Sequence, residues 1–124
     1  MKYDLAEKIN ASVNNSTTYM TDAEQYGVPE YFEAACPGGF EDCDGYALAK
    51  RARLIEQGVP LSDLFLATCT MPDGQGHMVL AVKTDQGWFV LDNNYNWPMI
   101  PSQLPYKWGK ALRSDGWVEL LSFA

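Results

Sequence analysis

The sequence predicts an α+β domain, and two observations support that class. Apolar residues recur at helical spacing within residues 1–57, whereas strand-like runs occupy the chain from residue 64 onward. Helices followed by strands, without a regular βαβ alternation, favour a sheet of antiparallel strands with helices packed on it. Because 124 residues suffice for one buried core and are too few for two, we expect a single domain over residues 1–124.

The N-terminal third contains one clear helix and a less regular segment. Leu5, Ile9 and Val13 are spaced four residues apart, which predicts an amphipathic helix over Tyr3–Val13. Residues 17–35 mix aromatic and acidic residues around a Gly-Val-Pro break, and we expect a short helix plus a loop there. Residues 36–40, with one proline and two glycines, predict a turn.

The strongest helix pattern covers Asp42–Gln57 and carries Cys43 in its first turn. Its predicted apolar side consists of Ala47, Leu48, Ala52, Leu54 and Ile55, and its predicted solvent side of Lys50, Arg53 and Gln57. Acidic residues at the start suit the positive end of the helix dipole, and Gly58 followed by Pro60 provides the stop.

Four strands and one long loop are predicted after this helix. The first three strands form a meander, Leu64–Met71, His77–Lys83 and Trp88–Asp92, separated by turns over residues 72–76 and 84–87. Residues 93–110 hold three prolines and two tryptophans, which predicts a long ordered loop, and Trp117–Phe123 is the fourth strand.

Charge and cysteine content exclude several classes of protein. A net charge of −7 without a basic cluster repels phosphate backbones and anionic lipid, so we expect no nucleic-acid or membrane partner. Residues 1–15 lack the apolar core of a signal peptide. The three cysteines, Cys36, Cys43 and Cys69, show no Cys-x-x-Cys spacing, which argues against a disulfide framework and a structural zinc site.

Cys43, His77 and Asp92 are the parts of a nucleophilic catalyst in chain order. A helix N-terminus and a nearby imidazolium lower the pKa of a thiol, whereas the flanking carboxylates of Asp42 and Asp44 oppose this effect. His77 is the only histidine, and histidine has an unperturbed pKa suited to a general base. The structural alternatives are a buried helix cysteine, an ordinary strand histidine and a turn aspartate.

The hairpin loop decides which residue can orient the His77 ring. With a four-residue loop over residues 84–87, Lys83 opposes Trp88 and Asp92 lies diagonally beside His77 on the same face. With a three-residue loop, Asp92 turns to the other face and Asn93 becomes the partner, unless a bulge restores the parity. We favour Asp92, because a carboxylate both fixes the tautomer and stabilises the imidazolium.

Further side chains have weaker claims to a role at the site. The backbone amide of Cys43 is a candidate oxyanion donor, and Asn10 or Asn14 could supply a second donor, although loop asparagines more often form turns. Three tryptophans could line a substrate groove or serve as core anchors: Trp88, Trp97 and Trp108.

Three sequence blocks resemble those of the bacterial transglutaminase-like cysteine peptidases, a papain-like clan. The blocks are Glu41-Asp42-Cys43-Asp44-Gly45-Tyr46-Ala47, Gly76-His77-Met78-Val79-Leu80 and Val90-Leu91-Asp92-Asn93. The resemblance implies a papain/transglutaminase-like fold with the cysteine-bearing helix packed on an antiparallel sheet. It also implies a thiol hydrolase of protein or peptide substrates, with Cys43 as nucleophile, His77 as base and Asp92 as orienting residue.

The same resemblance implies a calcium ion bound by Asp42 and Asp44. The chain departs from the family pattern at two positions, since Asp44 replaces a glutamate and Gly45 replaces a further acid, which removes one oxygen ligand. Its short form without an export signal resembles a stand-alone, cytoplasmic or phage-associated version of the family. Two other functions remain open: amide transfer to an amine, and a binding or structural module with little turnover.

Overall fold

The computed structural model describes residues 1–15, 43–113, 116–120 and 123. Helix α1 is Tyr3–Asn14 and helix α2 is Cys43–Glu56. The strands are β1 (Leu64–Thr70), β2 (Gly76–Thr84), β3 (Gly87–Leu91), β4 (Lys107–Arg113) and β5 (Gly116–Glu119), with short 3-10 turns at Leu61–Asp63 and Pro101–Gln103. The predicted helix, loop and turn over residues 17–40 lie outside the described residues. Neither described helix has the length and apolarity required to cross a membrane.

The five strands form one antiparallel sheet in the order β3-β2-β1-β4-β5, which confirms the α+β class. β1 is the central strand and is buried from Leu64 to Cys69, because both faces of the sheet are covered. On one face the β1 and β2 leucines pack against Ala6 of α1 and Ala47 of α2. The other face carries an aromatic cluster around Phe65. A strand that is covered on both faces has a continuous apolar sequence, and the residues from Leu64 to Ala67 of β1 show this pattern.

Helix α2 ends where Gly58 adopts a positive φ of 86°. The amide of Gly58 donates to the carbonyl of Ile55 at 2.9 Å, and that of Val59 donates to the carbonyl of Leu54 at 3.1 Å. Glycine takes this left-handed conformation without steric cost, so the predicted stop is confirmed.

The predicted orientation of α2 was wrong at two positions. Lys50, placed on the solvent side, is completely buried, and Ile55, placed on the apolar side, is 42% exposed. The helix packs on both α1 and β2, so the buried stripe is wider than a single amphipathic face and shifted around the axis. An apolar pattern read from one helix cannot include a second helical neighbour that covers a polar position.

Strand β4 corrects the prediction of a continuous loop over residues 93–110. It begins at Lys107 and pairs with β1, with an irregularity between Ala67 and Cys69. The backbone amide of Lys110 donates to the hydroxyl of Thr68 at 2.8 Å, which ties the two strands at that point. Gly109 and the lysines dilute the strand pattern, and the pairing depends on the neighbouring strand rather than on local preference. The final strand ends at Glu119, earlier than predicted.

The β2–β3 hairpin has the register of the first alternative. Lys83 opposes Trp88, and Thr84 pairs with Gly87. The Thr84 hydroxyl accepts a hydrogen bond from the amide of Gln86 at 3.0 Å and donates to the carbonyl of Gly87 at 2.9 Å. The turn therefore fixes the parity of every residue on the two strands.

Replacing Gly109 with alanine should destabilise the contact between β1 and β4. An added Cβ would lie 2.8 Å from the Thr68 hydroxyl oxygen and 3.4 Å from the Thr68 carbonyl oxygen. We expect G109A to lower the free energy of unfolding by about 1–3 kcal/mol, as overpacked sites do, in urea denaturation.

The double variant T68A/G109A tests whether the contact with the Thr68 hydroxyl causes the destabilisation. Because T68A removes the nearest clashing atom, the further cost of G109A should be smaller in the T68A background than in the parent protein. An equal cost in both backgrounds would contradict the assigned contact.

Candidate active site

His77 and Asp92 meet at one end of the sheet. His77 is the second residue of β2 and pairs with Cys69 of β1, and Asp92 directly follows β3. Extending the hairpin register by one residue places Asp92 opposite Val79, on the same side of the sheet as His77. His77 Nε2 and Asp92 Oδ1 are 2.9 Å apart, and the side chains are 4% and 0% exposed.

The carboxylate of Asp92 has two further hydrogen-bond donors. The backbone amide of Asn94 donates to Oδ1 at 3.0 Å, and the Tyr106 hydroxyl donates to Oδ2 at 2.6 Å. Burial alone would raise the pKa of Asp92, but hydrogen bonding and charge attraction from His77, followed by the bonds from Tyr106 and Asn94, lower it below its ordinary value. Asp92 is therefore an ionised, acceptor-only group at neutral pH.

An ionised acceptor beside Nε2 also determines the protonation pattern of the neutral imidazole. A carboxylate without a proton accepts only, so the hydrogen lies on Nε2 of His77. Nδ1 then carries the lone pair and is the nitrogen able to accept a proton from a nucleophile. This arrangement is chemically able to act as a general base through Nδ1.

Cys43 is the first described residue of α2, and the first amides of a helix have no hydrogen-bond partner within the helix itself. The position of its sulfur, the side chain of Asp44 and all of Asp42 lie outside what the structure describes. The roles of Cys43, Asp42 and Asp44 therefore stay predictions. Within the described residues, no three His, Cys, Asp or Glu side chains form a group suited to a metal ion.

Cys69 faces the same end of the sheet but has the properties of an inert thiol. Its sulfur is buried and lies 3.8 Å from the carbonyl oxygen of His77, to which the S–H group donates. Burial, together with the negative charge of Asp92, raises the pKa of Cys69 to about 12. A thiol that stays protonated at neutral pH is a poor nucleophile.

Asn10 and Asn14 anchor the segment after Asp92 from helix α1. The Asn14 amide group donates to the carbonyl oxygens of Asp92 at 2.9 Å and Tyr95 at 2.7 Å, and that of Asn10 donates to Tyr95 at 2.9 Å. Both amide hydrogens of Asn14 are thereby engaged, and Asn10 has no exposed surface. These contacts favour an anchoring role over the oxyanion role considered for the two residues.

The three tryptophans considered as groove residues have different surroundings. The ring of Trp88 packs on Phe65 with centroids 5.1 Å apart, and that of Trp108 packs on Tyr106 at 5.9 Å. Both belong to the aromatic cluster beneath the sheet, in agreement with the core alternative. Trp97 is 57% exposed on the segment that follows Asp92, so it alone of the three presents a large apolar surface to solvent.

Lys50 and Tyr106 are the residues near Asp92 that sequence reasoning missed. The Lys50 ammonium is buried without a hydrogen-bond partner among the described residues and lies 5.9 Å from the centroid of the Tyr46 ring. Burial lowers the pKa of Lys50 to about 7, although the charge of Asp92 partly opposes the shift. No sequence signal distinguishes Lys50 from a solvent-facing lysine. Tyr106 was hidden within the predicted loop.

Comparisons with known proteins agree with this architecture. The model of a family described as bacterial transglutaminase-like cysteine proteinase, BTLCP, matches residues 2–122. Calcium-bound LapG of Legionella pneumophila is similar in structure, with 23% identity and a TM-score of 0.69, covering 98% of this chain and 70% of LapG. EGTA-treated LapG of the same organism is 24% identical in sequence and has a TM-score of 0.68. The similarity covers 95% of this chain and 67% of LapG. Among curated proteins, none matches the chain.

The buried lysine predicts an unusual pH dependence of stability. The folded chain releases the Lys50 proton near pH 7, whereas the unfolded chain holds it up to about pH 10. Because the unfolded state binds more protons between these values, this group's contribution to stability rises with pH over that window.

We therefore expect K50M to be more stable than the parent protein at pH 6–7, by about 1–4 kcal/mol, the gain seen when buried charges are replaced by apolar side chains. The difference in the free energy of unfolding between K50M and the parent protein, measured by urea denaturation, should decrease toward about pH 10. K8M, at an exposed site on α1, is the matched control. A difference between K50M and the parent that does not change with pH would contradict the assignment.

Proposed function

Because the chain belongs to the bacterial transglutaminase-like cysteine proteinase family, we propose that it is a thiol protease whose catalytic triad is Cys43, His77 and Asp92. The expectation of a cysteine peptidase is confirmed at the level of family membership. The proposal of the triad depends on one observation: the buried hydrogen bond of 2.9 Å between His77 and Asp92. A positioned imidazole with an ionised partner is the part of a thiol catalyst that activates the nucleophile.

In the proposed reaction, Nδ1 of His77 accepts the proton of the Cys43 thiol, and the thiolate attacks the carbonyl carbon of a peptide bond. The C–N bond then breaks, and the imidazolium returns its proton to the leaving amine. Water attacks the resulting thioester while Nδ1 accepts a proton, and collapse of this intermediate releases the acid and the thiol. Asp92 stays ionised throughout and stabilises the imidazolium.

The start of α2 would support the nucleophile in two ways. The helix dipole favours a thiolate at its N-terminus, and the amide of Cys43 would donate to the oxyanion that forms during attack. His77 lies where β2 begins, so the proposal requires the thiol to approach around that end of the sheet. The substrate would be a protein or peptide chain, since the cleaved bond is an amide.

Calcium is the second part of the proposal. Calcium-bound and EGTA-treated forms of LapG are known, and Asp42 and Asp44 flank Cys43 in this chain. The donor set fits a hard cation incompletely, because Gly45 is buried and has no side-chain oxygen. A bound ion would offset the two carboxylate charges that disfavour a thiolate, with water or carbonyl oxygens completing its coordination.

Alkylation with iodoacetamide tests the activated thiol. We expect selective modification of Cys43 well below pH 8.5, because the helix terminus and His77 lower its pKa, and loss of this selectivity in H77A. Peptide mapping distinguishes Cys43 from Cys36 and Cys69. Modification of Cys43 only near pH 8.5, unchanged in H77A, would favour the binding-module alternative.

Turnover of a peptide or protein substrate tests the triad. C43A should abolish cleavage, and D92N should lower kcat by about 100- to 10,000-fold, because the ring loses its orienting charge. C69A, which removes the inert thiol at the same end of the sheet, is the matched control and should retain activity. Cleavage that survives in C43A would refute the proposed nucleophile. Products joined to an added amine would identify a transferase.

Chelation tests the calcium proposal. Added Ca²⁺ should raise the Tm of the parent protein through binding to the folded state, and EGTA should reverse the rise. The shift should decrease in D44N, which keeps the size of the side chain but removes a charged ligand, whereas D85N, in the turn between β2 and β3 at the opposite end of the sheet from His77, should leave it unchanged. Equal shifts in D44N and the parent would exclude Asp44 as a ligand.

A further inference from the structure

The side chain of Tyr106 contacts both members of the His77–Asp92 pair. Its hydroxyl donates to Asp92 Oδ2 at 2.6 Å. Its ring meets the imidazole of His77 edge to face, with centroids 5.4 Å apart and an interplanar angle of 71°. The side chain thus touches the base and the group that orients the base.

The Tyr106 hydroxyl binds one oxygen of the Asp92 carboxylate, and the other oxygen faces the imidazole. Oδ1 accepts from His77 Nε2 and the Asn94 amide, and Tyr106 is the donor to Oδ2 among the described residues. Without that donor, this buried carboxylate oxygen would have no hydrogen-bond partner in the described part of the chain, and rotation of the carboxylate toward another donor would carry Oδ1 away from Nε2.

The donor is itself held in place and in the correct protonation state. The ring of Trp108 packs against that of Tyr106 at 5.9 Å, and Tyr106 directly precedes β4, which is paired with the central strand. Burial, and then the hydrogen bond to Asp92, raise the pKa of the phenol well above its ordinary value. The Tyr106 hydroxyl therefore remains protonated, and thus a hydrogen-bond donor, over the whole pH range in which a thiol protease would operate.

We infer that Tyr106 is a positioning residue, whose hydroxyl holds the Asp92 carboxylate and whose ring restricts the His77 imidazole, so that Nδ1 stays directed toward the nucleophile. The inference rests on the proposed triad for its effect on catalysis. The geometric part, a carboxylate and an imidazole held by one phenol, is testable without activity.

Nuclear magnetic resonance provides the test that does not need turnover. His77 is the only histidine, so its Nε2–H proton gives a single assignable imidazole signal. In Y106F, which keeps the ring and removes the hydroxyl, this proton should exchange with water at least about tenfold faster, because the acceptor that shields it is less firmly held. Y3F, which removes a hydroxyl from helix α1, should leave the exchange rate unchanged.

Kinetics separates positioning from general stability. Y106F should lower kcat about 10- to 100-fold with little change in KM, as expected for the loss of one hydrogen bond to a charged group. If Tyr106 acts through Asp92, Y106F should have almost no further effect on kcat in the D92N background. A merely structural role would reduce activity equally in both backgrounds.

The parent protein offers a measurement that needs no substitution. A nuclear Overhauser effect between the Tyr106 hydroxyl proton and the His77 ring is expected from their contacts with one carboxylate, and its absence would overturn the inference even if Y106F failed to fold. Parent-like proton exchange and kcat in folded Y106F would overturn it as well. If C43A shows no loss of turnover, the proposed triad is refuted. Faster Nε2–H exchange in Y106F would even then support the inference that Tyr106 positions Asp92 and His77.

Discussion

A carboxylate without solvent contact is stable as an ion only if the protein replaces the water that it has lost, and Asp92 shows how this fold does so. Its donors are an imidazole from β2, a backbone amide from its own turn and a phenol from the segment before β4. Helix α1 holds the backbone of the same residue through Asn14. Segments far apart in sequence therefore converge on one side chain, and the position of the imidazole depends on all of them.

Electrostatics differentiates the groups that surround this carboxylate. Burial, together with the negative charge of Asp92, keeps the Cys69 thiol protonated. The same charge partly offsets the burial of Lys50, whose ammonium has no hydrogen-bond partner in the described part of the chain. The charge of this one buried carboxylate therefore opposes ionisation of the Cys69 thiol and favours the charged form of the Lys50 amine.

The comparisons and the site geometry contribute different things. Family membership identifies a cysteine peptidase, and similarity to LapG at 23–24% identity shows the shared fold. The chain's own residues supply the detail, because Asp44 and Gly45 follow Cys43 in the sequence and Tyr106 donates to Asp92 Oδ2. The function of this chain consequently depends on these residues and not on the fold alone.

The sequence by itself determined the features that depend on local chemistry. Apolar spacing located α1, α2 and the first three strands to within one or two residues, and Gly58 with Pro60 ended α2. Residue chemistry also selected His77 and Asp92 as partners, but it left the loop parity open, since local patterns allow either register.

Only the tertiary structure decided the remainder. The paired Thr84 and Gly87 fixed the register that brings Asp92 to His77, and packing in the folded chain buried Lys50 against its local pattern. Pairing with β1 made a strand of Lys107–Arg113 and brought the preceding Tyr106 to the carboxylate. Each of these outcomes depends on contacts between residues distant along the chain, which the periodicity of a single segment does not encode.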